Sequence, residues 1–231
     1  LKKLFLFSVL AVSLTYSCKK VDSNDLKETV PYYQSYSVYF DKDANSTEAS
    51  ATFRVRDANA TRVELSNGAS VTANGTAGTT HFLSPTDYKW TFTGIKDVSF
   101  VLNKNGGAVL TNTAQLADIN PINFGTSFPA SANKSAGFSF TWGSIPIANG
   151  ETLTVTISTP DSASAKTKIY NATNSNQTVT FTPADMQHMA TGTMTVEMIR
   201  YKSKELDAPD GTSTGSIALR YRLSKQIPLN P

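Results

Sequence analysis

Thr152-Leu153-Thr154-Val155-Thr156-Ile157 alternates hydroxyl and aliphatic side chains without a break. Successive side chains of a strand point to opposite faces, so this run sets Leu153, Val155 and Ile157 on one face and threonines on the other, the pattern of a half-buried strand. The same rhythm extends outward in both directions. Phe138, Phe140 and Trp142 share a face, Val179 and Phe181 point inward against Thr178, Thr180 and Thr182, and Met194, Val196 and Met198 continue the series. Ile217, Leu219, Tyr221 and Leu223 form a last strand with Arg220 and Arg222 outside. After Met198 the apolar parity passes to Ile199 and Tyr201, which leaves Arg200, Lys202 and Lys204 outward and predicts a β-bulge.

Upstream, Val38 and Phe40 alternate with polar neighbours, Ala51, Phe53 and Val55 oppose Thr52, Arg54 and Arg56, and Val63 and Leu65 repeat the pattern. Tyr88 to Phe92, Val98 to Leu102 and Ala108 to Leu110 supply further strands. Asn103-Lys104-Asn105-Gly106-Gly107 lies between the last two runs, and its Asn-Gly step predicts a hairpin because both residue types tolerate positive φ. Asp118-Ile119-Asn120-Pro121 interrupts the pattern and is expected as the joint between a first sandwich, residues 35–117, and a second, residues 118–231. No internal repeat connects the halves.

The composition agrees with this reading. The chain has 231 residues, 17% charged, with 13 Gly, 10 Pro and one Cys. Thr and Ser supply roughly a quarter of it, which favours strands and turns over helices. A disulfide framework is excluded. The net charge of +3 falls to about +1 once Lys2 and Lys3 are removed, so bulk charge gives no support to nucleic-acid binding.

Those lysines open the N-terminal segment. Leu4 to Leu14 is an apolar run, followed by Thr15-Tyr16-Ser17-Cys18. A basic end, an apolar centre and a small residue before a cut site are the parts of a secretory signal, and the run is shorter than the roughly 20 residues a spanning helix needs. Leu1 stands where an initiator Met belongs, so a non-standard start codon or a clipped N terminus is expected. Residues 18–34, polar and without hydrophobic period, are expected as a flexible tether.

The single Cys18, directly after Ser17 at the end of that run, makes this N terminus resemble bacterial lipoproteins, and Ser17-Cys18-Lys19-Lys20 is similar to junctions in the Bacteroidota. Leu14 lies one residue further from the Cys than the family pattern has it, and Tyr16 fills a usually small position. The resemblance implies a signal peptide over residues 1–17, acylation of Cys18 and attachment to the outer membrane, with periplasmic and surface orientations both open. The second half resembles a fibronectin type III or immunoglobulin-like sandwich through Phe138 to Trp142, Met194 to Tyr201 and the Pro183 to Met189 crossover. The first half resembles it more weakly. The fold expected is therefore all-β, with tandem sandwiches behind a lipoprotein signal and tether.

Groups able to do chemistry are sparse. The only histidines, His81 and His188, lie far from each other in sequence, and no second Cys completes a redox pair or zinc site. Asp185 and His188 could meet on one turn as an acid–base pair, yet the plainer reading is a surface loop in which Asp185 follows Pro183 and helps start a short turn. Asp41-Lys42-Asp43-Ala44-Asn45 opens like a calcium loop, but Ser46 replaces the expected Gly and Thr52 the closing Glu, so a hairpin turn is expected. The surface residues left for a ligand are Trp90 with Tyr32, Tyr33, Tyr36 and Tyr39, and a basic patch of Arg200, Lys202, Arg220 and Arg222 with Lys204 and Lys225. Ser162, in Asp161-Ser162-Ala163, resembles Bacteroidota O-glycosylation sites. The expected function is non-enzymatic, with no cofactor. It is binding or spacing in the envelope, with a glycan or an envelope protein as partner; the alternatives are a polysaccharide-uptake accessory, an adhesin or envelope-complex subunit and, last, a hydrolase using Asp185 and His188.

Overall fold

A computed structural model describes residues 20–143, 145–160, 165–173 and 177–231. Cys18 and Ser162 lie outside the described residues. In chain order the strands are β1 Lys20–Asp22, β2 Tyr32–Asp41, β3 Ser46–Val55, β4 Arg62–Glu64, β5 Ser70–Ala73, β6 Thr76–Ala77, β7 Thr79–His81, β8 Ser84–Thr93 and β9 Val98–Asn103. They continue with β10 Val109–Ala114, β11 Asn123–Phe124, β12 Ala132–Asn133, β13 Phe138–Gly143, β14 Glu151–Ser158, β15 Lys166–Tyr170, β16 Thr178–Phe181, β17 Gly192–Lys204 and β18 Gly215–Asn230. The only α-helix among the described residues, α1 Pro183–Met186, is capped by Thr182 and has Pro at its first turn. The protein is all-β.

One long sheet runs β1-β4-β3-β2-β18-β17-β14-β15, with β8 and β12 joining it on β3 and β18 and β7 on β8. A second sheet, β10-β9-β5-β6, and a third, β11-β13-β16, complete the layers. The ring of Tyr36 on the long sheet stacks on Phe100 of β9 at 4.4 Å, and Phe100 in turn meets Trp90 of β8 edge-on at 5.8 Å. The buried apolar residues of both halves form a single cluster. Leu153, Val155 and Ile157 are fully buried, as are Val38, Phe40, Phe53, Val179, Phe181, Met194, Val196 and Met198. At about 1.5–3 kcal/mol for each large apolar side chain removed from water, this alternation outweighs any local preference of the threonines between them.

The halves share a sheet. β18 is 16 residues long, and its first part pairs in parallel with β2, from Gly215 opposite Gln34 to Arg222 opposite Asp41. Its far end pairs with β12, and its other edge carries β17 from Lys204 to Gly192. The backbone of Gly215 lies so close to the Gln34 carbonyl that a Cβ there would overlap it, so only glycine lets the ladder begin at this point.

The β17–β18 ladder is unbroken from Gly192 opposite Leu229 to Lys204 opposite Ile217, so the expected bulge after Met198 is absent. Parity holds straight through, which turns Arg200 inward on the same face as Met198. The segment expected as a tether is also ordered from Lys20. β1 adds in parallel to β4, placing Val21 opposite Val63, while Ser23 is buried with its hydroxyl on Ser66 and β2 already begins at Tyr32. Backbone pairing of this kind leaves no trace in hydrophobic period. The joint at 118–121 is a 3-10 turn, Leu116–Ile119, closed by Asn120 in the left-handed region.

Candidate functional site

The residues expected to form one ligand surface are distributed over both faces of the long sheet. Arg220 and Arg222 lie outward, opposite Tyr201 and Ile199 of β17, whereas Arg200 and Lys202 belong to the inward set of that strand. Opposed residues of an antiparallel pair share a face, so these cations cannot converge. Arg222 is occupied by Glu197 at 2.6 Å, Asp41 at 3.1 Å and Asp43 at 3.3 Å. Arg220 stays exposed, 3.3 Å from the Ser37 hydroxyl and over the ring of Tyr201. The Asp41–Asn45 segment is the β2–β3 hairpin turn, with Asp41 Oδ1 accepting the amides of Asp43 and Ala44 and with Asn45 at φ 47°.

Trp90 is core. Its ring is buried, its Nε1 donates to the Thr76 carbonyl at 2.9 Å, and it lies directly under Gly78, where a Cβ would strike the indole. Trp142, Tyr32 and Tyr36 are buried as well, while Tyr33 and Tyr39 are half-buried. Asp185 Oδ2 caps α1 through Thr182 and pairs with Lys168 at 2.9 Å. His81 is exposed beside Phe82 at a hairpin tip. Among the described residues no group of three or more His, Cys, Asp or Glu side chains is placed to hold a metal ion.

Among the described residues Arg200 is the largest fully buried side chain. Its guanidinium pairs with the equally buried Glu151 and donates to the carbonyls of Asn120 and Ile145, both at 3.1 Å, and of Pro146 at 2.9 Å. On the same face Lys202 donates to the Asp118 carbonyl at 2.6 Å, and Lys204 to the Thr113 carbonyl at 2.9 Å and to Asp118 at 3.3 Å. These cations therefore grip the joint between the halves. Glu151 shares the parity of Leu153 and Val155, so an inward carboxylate and an inward arginine were both written in the alternation.

A second lock closes over the first half. The connection between β17 and β18 returns across β2 and β10. Asp207 accepts the Thr113 amide and hydroxyl at 2.7 Å, while Gln34 and Asn112, both fully buried, hold the Ala208 backbone. Asp210 accepts the Tyr32 amide at 2.7 Å and pairs with the buried Lys104 at 2.7 Å. Lys104 Nζ also donates to the carbonyls of Val30 at 2.9 Å and Glu28 at 3.4 Å.

Beside Lys104 opens a cleft of about 490 Å³ between turns that meet at one end of the first half. Asn24, Leu26 and Glu28 line it from the segment after β1, Asn67 and Gly68 from the turn before β5, and Asn103, Asn105, Gly106, Gly107 and Val109 from the β9–β10 hairpin. The glycines keep the wall bare, and a Cβ at Gly106 would collide with the Glu28 carboxyl. Asn105 Oδ1 is buried there and accepts no hydrogen bond. Asn105-Gly106 reads in the sequence as a hairpin turn, and Asn67-Gly68 has the same form; these paired doublets are the available signal.

The locks make stability pH-dependent. Burial raises the Glu151 carboxyl, but the Ala148 amide, Arg200 and Lys202 more than offset it and hold it below the usual range. Burial likewise opposes Thr113 and Lys204 at Asp207, and these again win; Lys168 and Thr182 hold Asp185 low. Each folded value lies below the unfolded one, so the unfolded chain binds more protons, and the stabilisation is whole above about pH 5 and lost as pH falls through the unfolded and then the lowered values. Urea midpoints are expected to stay level from about pH 7 to 5 and to fall steeply below about pH 4. A midpoint level through the acid range would contradict these assignments.

No family model matches the chain, and no curated protein matches it. Among solved structures, one described as structural insight into host cell surface retention of a 1.5-MDa bacterial ice-binding adhesin aligns over 87% of this chain at 12% identity, with a TM-score of 0.26. The alignment spans 65% of that chain's length, and at this likeness no function passes from it.

Proposed function

We propose that the protein is a lipid-anchored, non-catalytic binding or spacer protein of a bacterial outer membrane. The observation that carries the binding reading is the turn-lined cleft on a body whose halves are locked by buried ion pairs. A rigid scaffold presenting turns at one end is the arrangement in which loops supply recognition. The anchoring part rests on the N-terminal signal pattern and Cys18. Since β1 begins at Lys20, acylation of Cys18 would hold the body close to the bilayer, without the slack of a long tether.

Acyl chains contribute about 0.8 kcal/mol per buried CH₂, and stable attachment takes more than one chain. Expressed in a Bacteroidota host, the natural chain is expected in the detergent phase with an acylated Cys18, and Cys18→Ser almost wholly in the aqueous phase. Mass spectrometry finding an unmodified thiol, or equal partition of both chains, would sink the anchor.

A second reading, an adhesin or envelope-complex subunit, is favoured by the β7–β8 hairpin tip, where Phe82 and Leu83 are 83% and 73% exposed. Adjacent apolar side chains left in water suit a protein contact.

A further inference from the structure

We propose that the β7–β8 hairpin tip, Phe82-Leu83, inserts into the bilayer that holds the acylated Cys18, so that the body meets the membrane at two points. This deepens the anchored reading above and rests on it. His81 pairs with Ser84, so Phe82 and Leu83 are the whole connection between the two strands. A two-residue connection favours Gly, Asn or Asp, which reach positive φ or bond their own backbone. Phe and Leu do neither, and these two do not join the buried cluster; the Phe82 ring lies against His81, 4.8 Å between centres. The other large apolar side chains exposed among the described residues, Val109, Ile145 and Ile169, each stand alone in the chain. An adjacent pair that serves neither turn nor core is a place where local rules yield to a contact.

The tip lies at the end of the sheet where the chain arrives from Cys18. β8 runs antiparallel to β3, with Thr93 opposite Ser46 and Tyr88 opposite Ala51, so Ser84 and the tip continue toward the Val55 end. Arg62 of β4 opposes Arg54 at that same end, and Lys20 opposes Arg62. From Lys20, β1 runs parallel to β4 and away from the tip, so the chain enters β1 from the tip side. The Arg62 guanidinium reaches Asp87, only a few residues before which the hairpin turns, at 2.7 Å. Cys18 precedes Lys20 by two residues, a reach of at most about 7 Å.

Charge favours the apolar core of a bilayer over its headgroups as the partner. The surface between anchor and tip is neutralised by the Lys20–Glu64 and Arg62–Asp87 pairs. Two apolar side chains hold a membrane weakly by themselves. With Cys18 already fixed, their insertion becomes intramolecular, and little affinity is then needed.

The opposite end of the sheet supplies the control. Ile169 of β15 is exposed, and the row Ile169, Thr154, Ile199, Arg222, Asp41, Ser46 crosses the sheet at the end of β3 far from the tip. Full-length Phe82→Trp and Ile169→Trp chains, produced in a Bacteroidota host, are placed in vesicles of phosphatidylethanolamine and phosphatidylglycerol with brominated or plain acyl chains. The native Trp90 and Trp142 are buried and give a constant background. The indole at position 82 is expected to lose emission to the bromine, to shift to the blue in plain lipid and to be shielded from iodide in the buffer. The indole at position 169 should ignore the bromine and stay open to iodide. Raising the salt should leave both results unchanged, since the contact is apolar. An acylated chain whose indole at position 82 ignores the bromine and stays open to iodide would overturn the proposal, leave the anchor standing and return the tip to a protein partner. Quenching at position 82 in a chain whose Cys18 is unmodified would sink only the anchor. Equal quenching at both positions would also overturn the proposal, because the tip would then have no special place at the membrane.

Discussion

Arg200→Met is expected to destabilise the protein by about 3–5 kcal/mol, the cost of removing one partner of a buried ion pair. Methionine keeps the unbranched apolar stem and loses the guanidinium with its charge. Glu151 is then left fully buried, with Lys202 Nζ 3.6 Å from its other oxygen as the remaining cation. The carbonyls of Asn120, Ile145 and Pro146 lose their donor as well. For a chain of this size each kcal/mol moves the unfolding temperature by about 2–4 °C, so the shift is readable by calorimetry. The double variant Glu151→Leu/Arg200→Met separates the parts. Removing both charges recovers the electrostatic share, and what remains, about 1–3 kcal/mol, belongs to the orphaned carbonyls. A single variant within about 0.5 kcal/mol of the natural chain, the scatter of ordinary surface changes, would show that the joint is not held this way.

Arg200 also marks where the sequence stopped being readable. Strand existence and facing were legible because Leu153, Val155 and Ile157, or Val179 and Phe181, repeat with period two and nothing competes. At Met198 the rule and the cost of burying a charge point in opposite directions, and a bulge resolves the conflict as long as one strand is considered alone. The resolution lies on a neighbouring strand. β14 pairs with β17 so that Leu153 opposes Arg200 and Glu151 opposes Lys202, which sets the carboxylate diagonal to the guanidinium. Register between strands is a property of the fold, and residues 151 and 200 carry no local signal of each other.

The same limit governs the cleft and the N-terminal segment. Asn24, Asn67 and Asn105 come from turns far apart in the chain, and each alone reads as ordinary turn chemistry. Lys20-Val21-Asp22 has no strand pattern because its place is secured by backbone pairing with β4 and by the Ser23 contact with Ser66. The parallel union of β2 and β18 is equally silent, since each strand shows only its own alternation. The consequence is that residues 35–117 and 118–231, separable on the page, share one sheet and one buried cluster in space.

Lys104→Met should combine both themes, loss of a lock and loss of the cleft. Lys104 sits 4.5 Å over the Tyr32 ring, with its ammonium on Asp210 and on the carbonyls of Glu28 and Val30. Without it Asp210 keeps only the Tyr32 amide, and the backbone that carries Asn24, Leu26 and Glu28 loses its hold on the β9–β10 hairpin. The expected cost is again about 3–5 kcal/mol, with hydrogen exchange accelerating over residues 20–32 before it does so in β2 or β3. Asp210→Asn is the milder control. Its amide oxygen can still accept from Tyr32, so a smaller loss is expected, with the opening confined to the same segment. Unaltered exchange over residues 20–32 in Lys104→Met would mean that β1 pairing alone fixes the segment, and the ammonium would then have no part in shaping the cleft.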